Sequence, residues 1–226
     1  MAYADVDTDA LDQLLRERDH HRVRERCTQI LNSPDAPTER RDAAELALAQ
    51  CLVEGGDPAG AAQIVVRIIQ RAPQSWRAWH VNALIALSQG DWTSARECYL
   101  RAEETAPDSD WVLAGLGVCE AHAERNDIAR SYFTRALVGN PASTPALQGL
   151  LTVCNLDAHA AEILPLLRRY LVLMPLDAAA RLYFAKALRA AGAKGEALSE
   201  VTKVTYLCPD LLEAKALREE LLRETP

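Results

Sequence analysis

The chain has 226 residues, a net charge of −7, and a composition that is 49% hydrophobic and 25% charged, which excludes a disordered or collagen-like polymer and is enough for a sizeable core. Alanine occurs 39 times and glycine 10 times, while aromatics make up only 5%, so the chain favours helices over strands. The acidic balance argues against wholesale binding of nucleic acid.

The N-terminal stretch, MAYADVDTDALDQLL, is acidic and lacks a basic head followed by an apolar run. It does not read as a secretory leader. Residues 8–31 predict a helix pair, with Leu11, Leu14 and Leu15 marking the first helix. Arg16, Arg18, Arg22, Arg24 and Arg26 crowd this pair, but Glu17, Asp19 and Glu25 dilute them, as on a solvated helical face. The adjacent His20 and His21 cannot both face one helical site. Asn32 to Glu39, with Pro34 and Pro37, reads as a linker.

A repeat follows. Prolines stand at 73, 107, 141, 175 and 209, each 34 residues after the last. Twelve residues before each stand Ala61, Ala95, Ala129, Ile163 and Ala197. Eight before stand Val65, Tyr99, Phe133, Leu167 and Val201, and five before stand Ile68, Ala102, Ala136, Tyr170 and Val204. A further slot, 24 before, holds Ala49, Ala83, Gly117, Leu151 and Ala185. A 34-residue period predicts stacked antiparallel helix pairs, because one pair cannot bury its apolar face alone. Small residues let the two helices approach, large ones fill the space toward the next pair, and proline closes each unit.

The units in frame are 42–75, 76–109, 110–143, 144–177 and 178–211. Their internal breaks are expected at 54–58, 89–91, 125–127, 155–157 and 191–195, with Gly or Asn ending the first helix and Asp starting the second. In 76–109 the helices are expected at 76–88 and 92–105. The leading pair fits the same frame at an offset of 72 rather than 68, since Asp19, Val23 and Cys27 match Asp91, Ala95 and Tyr99. Four extra residues are therefore expected in the linker. Unit 144–177 is degenerate: it lacks a glycine break and carries Pro165 in its second half. Either the helix runs through Pro165 and bends, or it starts late, near Ile163. Residues 212–226 predict one amphipathic capping helix, apolar at Leu212, Leu217, Leu221 and Leu222. The expected divisions are 1–39, 40–211 and 212–226, with about thirteen helices.

These marks resemble the tetratricopeptide repeat family. Unit 76–109 supplies Trp79, Ala83, Ala95, Tyr99, Ala102 and Pro107, and unit 110–143 supplies Leu113, Gly117, Ala129, Phe133, Ala136 and Pro141. The resemblance covers about residues 8–224. It implies an all-α, right-handed α-solenoid of antiparallel helix pairs and says little about function, since the fold serves many roles. It also implies a concave groove lined by the first helices, which holds a partner helix or an extended peptide. Carried onto this chain, the partner-binding positions are Arg77, His80, Leu84, Leu87, Trp111, Val118, Gln148, Lys186 and Arg189. Leu84, Leu87, Trp111 and Val118 form an apolar centre, and the charged and polar residues form its rim. A rival reading makes Trp76, Trp79 and Trp111 core residues, most strongly Trp79. One groove type of the family grips a terminal carboxylate with Lys and Asn on consecutive first helices; this chain offers no such set.

The chain carries no HExxH, GxSxG or phosphate-cradling glycine loop, and no enzyme activity, cofactor or metal is expected. Cys27, Cys51, Cys98, Cys119, Cys154 and Cys208 are scattered, as in a protein of buried free thiols. No apolar run is long enough to span a bilayer. Arginine outnumbers lysine 21 to 4, as in proteins of GC-rich bacteria, and a cytoplasmic setting is expected. The sequence thus points to an adaptor, scaffold or chaperone that binds another protein or peptide. The alternative is a structural subunit that forms homo-oligomers through solenoid stacking.

Overall fold

The computed structural model describes residues 6–224, and side chains from 9 onward. The start of the acidic N-terminal stretch and the last two positions of the expected final helix lie outside the described residues. Among the described residues there are thirteen helices and no strand. They divide into two compact units that meet in sequence at Pro107–Asp108. Unit 1 holds α1 (Val6–Arg16), α2 (His20–Asn32), α3 (Thr38–Glu54), α4 (Pro58–Arg71), α5 (Trp76–Ser88) and α6 (Trp92–Thr105). Unit 2 holds α7 (Asp110–His122), α8 (Asn126–Gly139), α9 (Thr144–Val153), α10 (Leu156–Leu173), α11 (Ala178–Ala190), α12 (Lys194–Leu207) and α13 (Leu212–Glu224). The architecture is all-α, built of antiparallel helix pairs, as the period requires.

The slots read from the prolines are the core. Ala61, Ala95, Ala129, Ile163 and Ala197 are fully buried, as are Val65, Phe133, Leu167 and Val201, with Tyr99 and Tyr170 nearly so. A residue locked at every copy of one position repeats the same helix-to-helix contact, and that repetition is what the sequence period encodes.

In unit 1, α5 and α6 occupy the residues expected of them. The turn between them has Gly90 in the left-handed region at φ 75°, and Asp91 accepts a hydrogen bond from the Ser94 amide at 3.0 Å, capping α6. Asp57 caps α4 and Asp19 caps α2 in the same way. The four extra residues are not in the linker. They form an added first turn of α3, which starts at Thr38 rather than at 42. Arg41 in that turn donates to the carbonyls of Ala36 (3.1 Å) and Ser33 (2.7 Å), tying the short proline segment to the helix it precedes.

In unit 2 the break of the 110–143 repeat lies earlier than expected. Helix α7 ends at His122, Glu124 takes the left-handed conformation at φ 60°, and Asn126 and Asp127 already belong to α8. The left-handed residue keeps the 34-residue period (Gly56, Gly90, Glu124, then Gly192), and Arg18 takes it at the offset of 72. Side-chain type does not mark the slot in the sequence, because the turn geometry, not glycine, is what repeats.

The 144–177 repeat departs most. Helix α9 has 10 residues and α10 has 18, against 13 and 14 in the repeat before. Ala158, which follows Glu124 by 34, sits inside α10, so no left-handed turn exists there. The start at Leu156, capped by Asn155, rules out the late start near Ile163. Pro165 stands within the helix on its exposed side, as does Ala161, whose carbonyl loses its i+4 donor. Water can satisfy that carbonyl, so the proline is tolerated. Leu151 is only partly buried in its slot. The small residue facing Phe133 from α9 is Gly149 instead. A Cβ there would lie 2.8 Å from Phe133 Cε2 and closer still to Cε1 and Cζ, while one on Gly117 would lie 2.5 Å from Cε1. The two glycines give the ring its space between α7 and α9.

Helix α13 closes unit 2 with Ala214, Leu217 and Leu221 buried. Leu212 and Leu222, read from the sequence as part of its apolar face, are exposed.

Candidate functional site

The first helix of each repeat presents the positions expected to contact a partner. On α5 of unit 1 these positions are largely occupied from within. The Arg77 guanidinium donates both its terminal nitrogens to the Asp12 carboxylate of α1, one of them at 2.7 Å, and its carbon lies 4.6 Å over the Trp76 ring. His80 is buried, its ring centroid 6.5 Å from Trp76 and 5.7 Å from Tyr99. Leu84 and Leu87 are half-buried. Trp79 is half-buried and fixed at both ends: its Nε1 donates to the Pro73 carbonyl at 2.7 Å, and Arg101 lies over its ring at 5.5 Å.

Unit 2 carries the remaining positions. Trp111 is half-buried on α7, whereas Val118 on the same helix and Gln148 on α9 are exposed. Lys186 and Arg189 of α11 are held by α13: Lys186 Nζ lies 2.5 Å from Glu213, and Arg189 pairs with Glu220. With Lys194 and Glu224 at 3.1 Å, the final helix sets three carboxylates against three cations. These contacts surround a cleft of about 370 Å³ bounded by α11, α13 and the start of α10. Lys186 and Arg189 are therefore engaged by the chain itself. The sequence did signal this, since α13 carries Glu213 and Glu220 seven residues apart on one face, but α13 lies outside the repeat and has no register to align.

A second cleft of about 220 Å³ opens between α9 and α11, lined by Leu147, Gln148, Leu151, Thr152, Ala179 and Tyr183. Of these, Gln148 is one of the positions expected to contact a partner. Its floor is set by a chain of hydrogen bonds. The Tyr170 hydroxyl donates to Asp177 Oδ2 at 2.8 Å and lies 3.3 Å from Thr144 Oγ1, while Asp177 Oδ1 accepts from the Ala180 amide at 2.9 Å and caps α11. Burial, and the Asp177 carboxylate that accepts its hydrogen bond, push the Tyr170 hydroxyl above its ordinary pKa, so it stays a neutral donor. The cleft thus combines apolar walls from leucine with amide and hydroxyl groups. Tyr183 was not singled out from the sequence. It stands one turn from Ala179 on the same face of α11, and that i+4 spacing was the available signal.

Among the described residues no group of three or more His, Cys, Asp or Glu side chains gathers as a metal site would. No disulfide joins the six cysteines, and Cys27, Cys51, Cys98 and Cys119 are buried. Burial, with Cys51 nearby, pushes the Cys27 thiol up to about 12, which keeps it protonated and inert at neutral pH. No described helix is long and apolar enough to cross a membrane.

The tetratricopeptide repeat profile matches residues 46–110 and 80–144. A search of curated proteins returns no match. Among solved structures, a protein characterised as pilF of Pseudomonas aeruginosa superimposes with a TM-score of 0.66 at 15% identity, over 96% of both chains. YrrB, described as a TPR protein with an unusual peptide-binding site, gives 0.60 at 15% identity, over 78% of this chain and 91% of its own. MamA gives 0.57 at 15% identity, over 74% and 91%. At this identity the likeness is one of fold. That fold generally mediates protein–protein interaction.

Proposed function

Because this chain is a tetratricopeptide repeat protein, we propose that it is a non-enzymatic adaptor or chaperone-like scaffold whose first-helix face in unit 2 holds an extended segment of a partner protein. The observation that carries this reading is the cleft between α9 and α11. There Gln148 and Thr152 stand beside Leu147, Leu151 and Tyr183, next to a hydrogen-bonded floor. Trp111 and Val118 extend the same helix face on α7 with apolar surface. Lys186 and Arg189, already paired with α13, act as the edge of the site rather than its anchors. The setting in this reading is cytoplasmic and bacterial, which the arginine-rich composition and six cysteines without a disulfide support.

The test compares affinity capture by the wild-type chain, a Trp111→Ala variant and a Gln148→Ala, Tyr183→Ala variant, each with an unchanged thermal melt. Loss of a half-buried Trp anchor is expected to weaken a specific partner by about 2 kcal/mol or more. Equal recovery of the same partner by all three proteins would remove this face as the binding site.

A further inference from the structure

Outside the first-helix face, the second helices carry a further periodic feature. Six residues before the repeat prolines stand Arg67, Arg101, Arg135, Arg169 and Lys203, a cation in every copy. One turn further along the same helices, three before the prolines, the two units part. Unit 1 has Gln70 and Glu104, and unit 2 has Val138, Val172 and Tyr206. These three apolar side chains are 55, 79 and 82% exposed, and the next residues on α10 and α12, Leu173 and Leu207, are exposed as well. A large apolar side chain left in water at one position of three successive repeats makes a row rather than a scatter of single residues, and such surfaces mark interaction sites.

We propose that this row, at the C-terminal ends of α8, α10 and α12, docks an acidic amphipathic segment of a partner protein. Charge selects the occupant. Arg169 donates to the Val138 carbonyl at 3.4 Å, which ties the end of α10 to that of α8 and leaves the guanidinium charge uncancelled by that contact. Lys203 and Arg181 share one carboxylate, Glu200, at 2.6 and 2.5 Å, so that group keeps an excess positive charge. The Arg135 guanidinium stacks at 5.5 Å from the Tyr132 ring. Arg169 and Lys203 therefore set a basic strip beside the apolar one, on a chain whose net charge is −7. A second copy would bring a further basic strip, and no acidic one, to the interface, which leaves the charge unbalanced and disfavours self-pairing. A segment with apolar residues on one face and Asp or Glu beside them satisfies both strips.

A random peptide display library panned on the full chain, with counter-selection on a Val172→Lys, Tyr206→Lys chain, reads this directly. The expected products are peptides with apolar residues at helical spacing and flanking Asp or Glu. By fluorescence anisotropy their affinity should fall about tenfold or more in a Val172→Ser, Tyr206→Ser chain, and also in Arg169→Glu, but hold in Gln148→Ala, Tyr183→Ala. Val172 and Tyr206 are exposed, so their substitution by serine should leave the thermal melt in place. Selected peptides that are basic, or that bind the Val172→Ser, Tyr206→Ser chain equally well, would overturn the proposal. So would light scattering that shows a wild-type dimer split by that substitution, which assigns the row to a second copy. Flotation with phosphatidylcholine–phosphatidylglycerol vesicles that the same substitution abolishes would assign it to a lipid surface and overturn it too.

Discussion

The repeats 110–143 and 144–177 are neighbours in one compact unit and share a 34-residue frame, yet they are built differently. The first has helices of 13 and 14 residues joined by a left-handed turn, and the second has helices of 10 and 18 with no such turn. What they share is the second-helix core. Ala129, Phe133 and Ala136 are fully buried in one, and Ile163, Leu167 and Tyr170 are buried at the same slots of the other. The period therefore resides in where the second helix presses on its neighbours. The turn and the length of the first helix differ between the two repeats while those slots stay buried.

The largest expected effect breaks this comparison at one slot. Ala129 and Ile163 occupy equivalent positions, and both are fully buried. If the two repeats enclose different spaces there, the substitutions should fail in opposite ways. Ile163→Ala should open a cavity and cost about 2–5 kcal/mol, whereas Ala129→Ile should overpack and cost about 1–3 kcal/mol. Denaturant unfolding of each variant checks this. Little change in either would mean that the slot adapts to whatever fills it.

A smaller effect concerns the ring between the repeats. Gly117 and Gly149 both lack the Cβ that would meet Phe133. The ring is buried and cannot swing aside, so Gly149→Ala should destabilise by about 1–3 kcal/mol, even though alanine is the better helix former by about 1 kcal/mol. Shrinking the ring with Phe133→Leu should recover part of the loss, and a double-mutant cycle measures the coupling. A Gly149→Ala chain as stable as wild type would show that Phe133 yields.

These contrasts also show why some features were legible in the sequence and others were not. The five helix pairs from α3 to α12 and their buried slots follow from the proline spacing, because packing repeats with it. The added turn of α3 was legible only as a count of four residues. Whether four residues extend a linker or a helix depends on Arg41 finding the Ser33 and Ala36 carbonyls, a tertiary matter. The first-helix caps were overlooked, although Ser75, Ser109, Ser143 and Asp177 recur at 34 residues. Of these, Ser75 and Asp177 accept hydrogen bonds from the amides three residues on. Among the site positions, Arg77, Lys186 and Arg189 were placed on the correct helices. Their partners lie on α1 and α13, which flank the repeat, and no period relates Asp12 or Glu220 to the residues they neutralise.

The smallest expected effect concerns the turn slot itself. Glu124 and Ala158 are 34 residues apart, and a glycine would be natural at either by analogy with Gly90 and Gly192. The backbone says otherwise. Glu124 has φ 60°, where a side chain costs about 1 kcal/mol or more that glycine avoids. Ala158 lies in the first turn of α10, where glycine only adds freedom to the unfolded chain. Glu124→Gly should therefore raise stability by some tenths of a kcal/mol up to about 1, after the entropy lost with glycine is set against the strain relieved. Ala158→Gly should lower stability by up to about 1 kcal/mol, less if the first turn frays. Paired thermal melts of the two single variants read the sign directly. Midpoints that move in the same direction would mean that the two repeats turn alike in solution and that the long α10 is not what separates them.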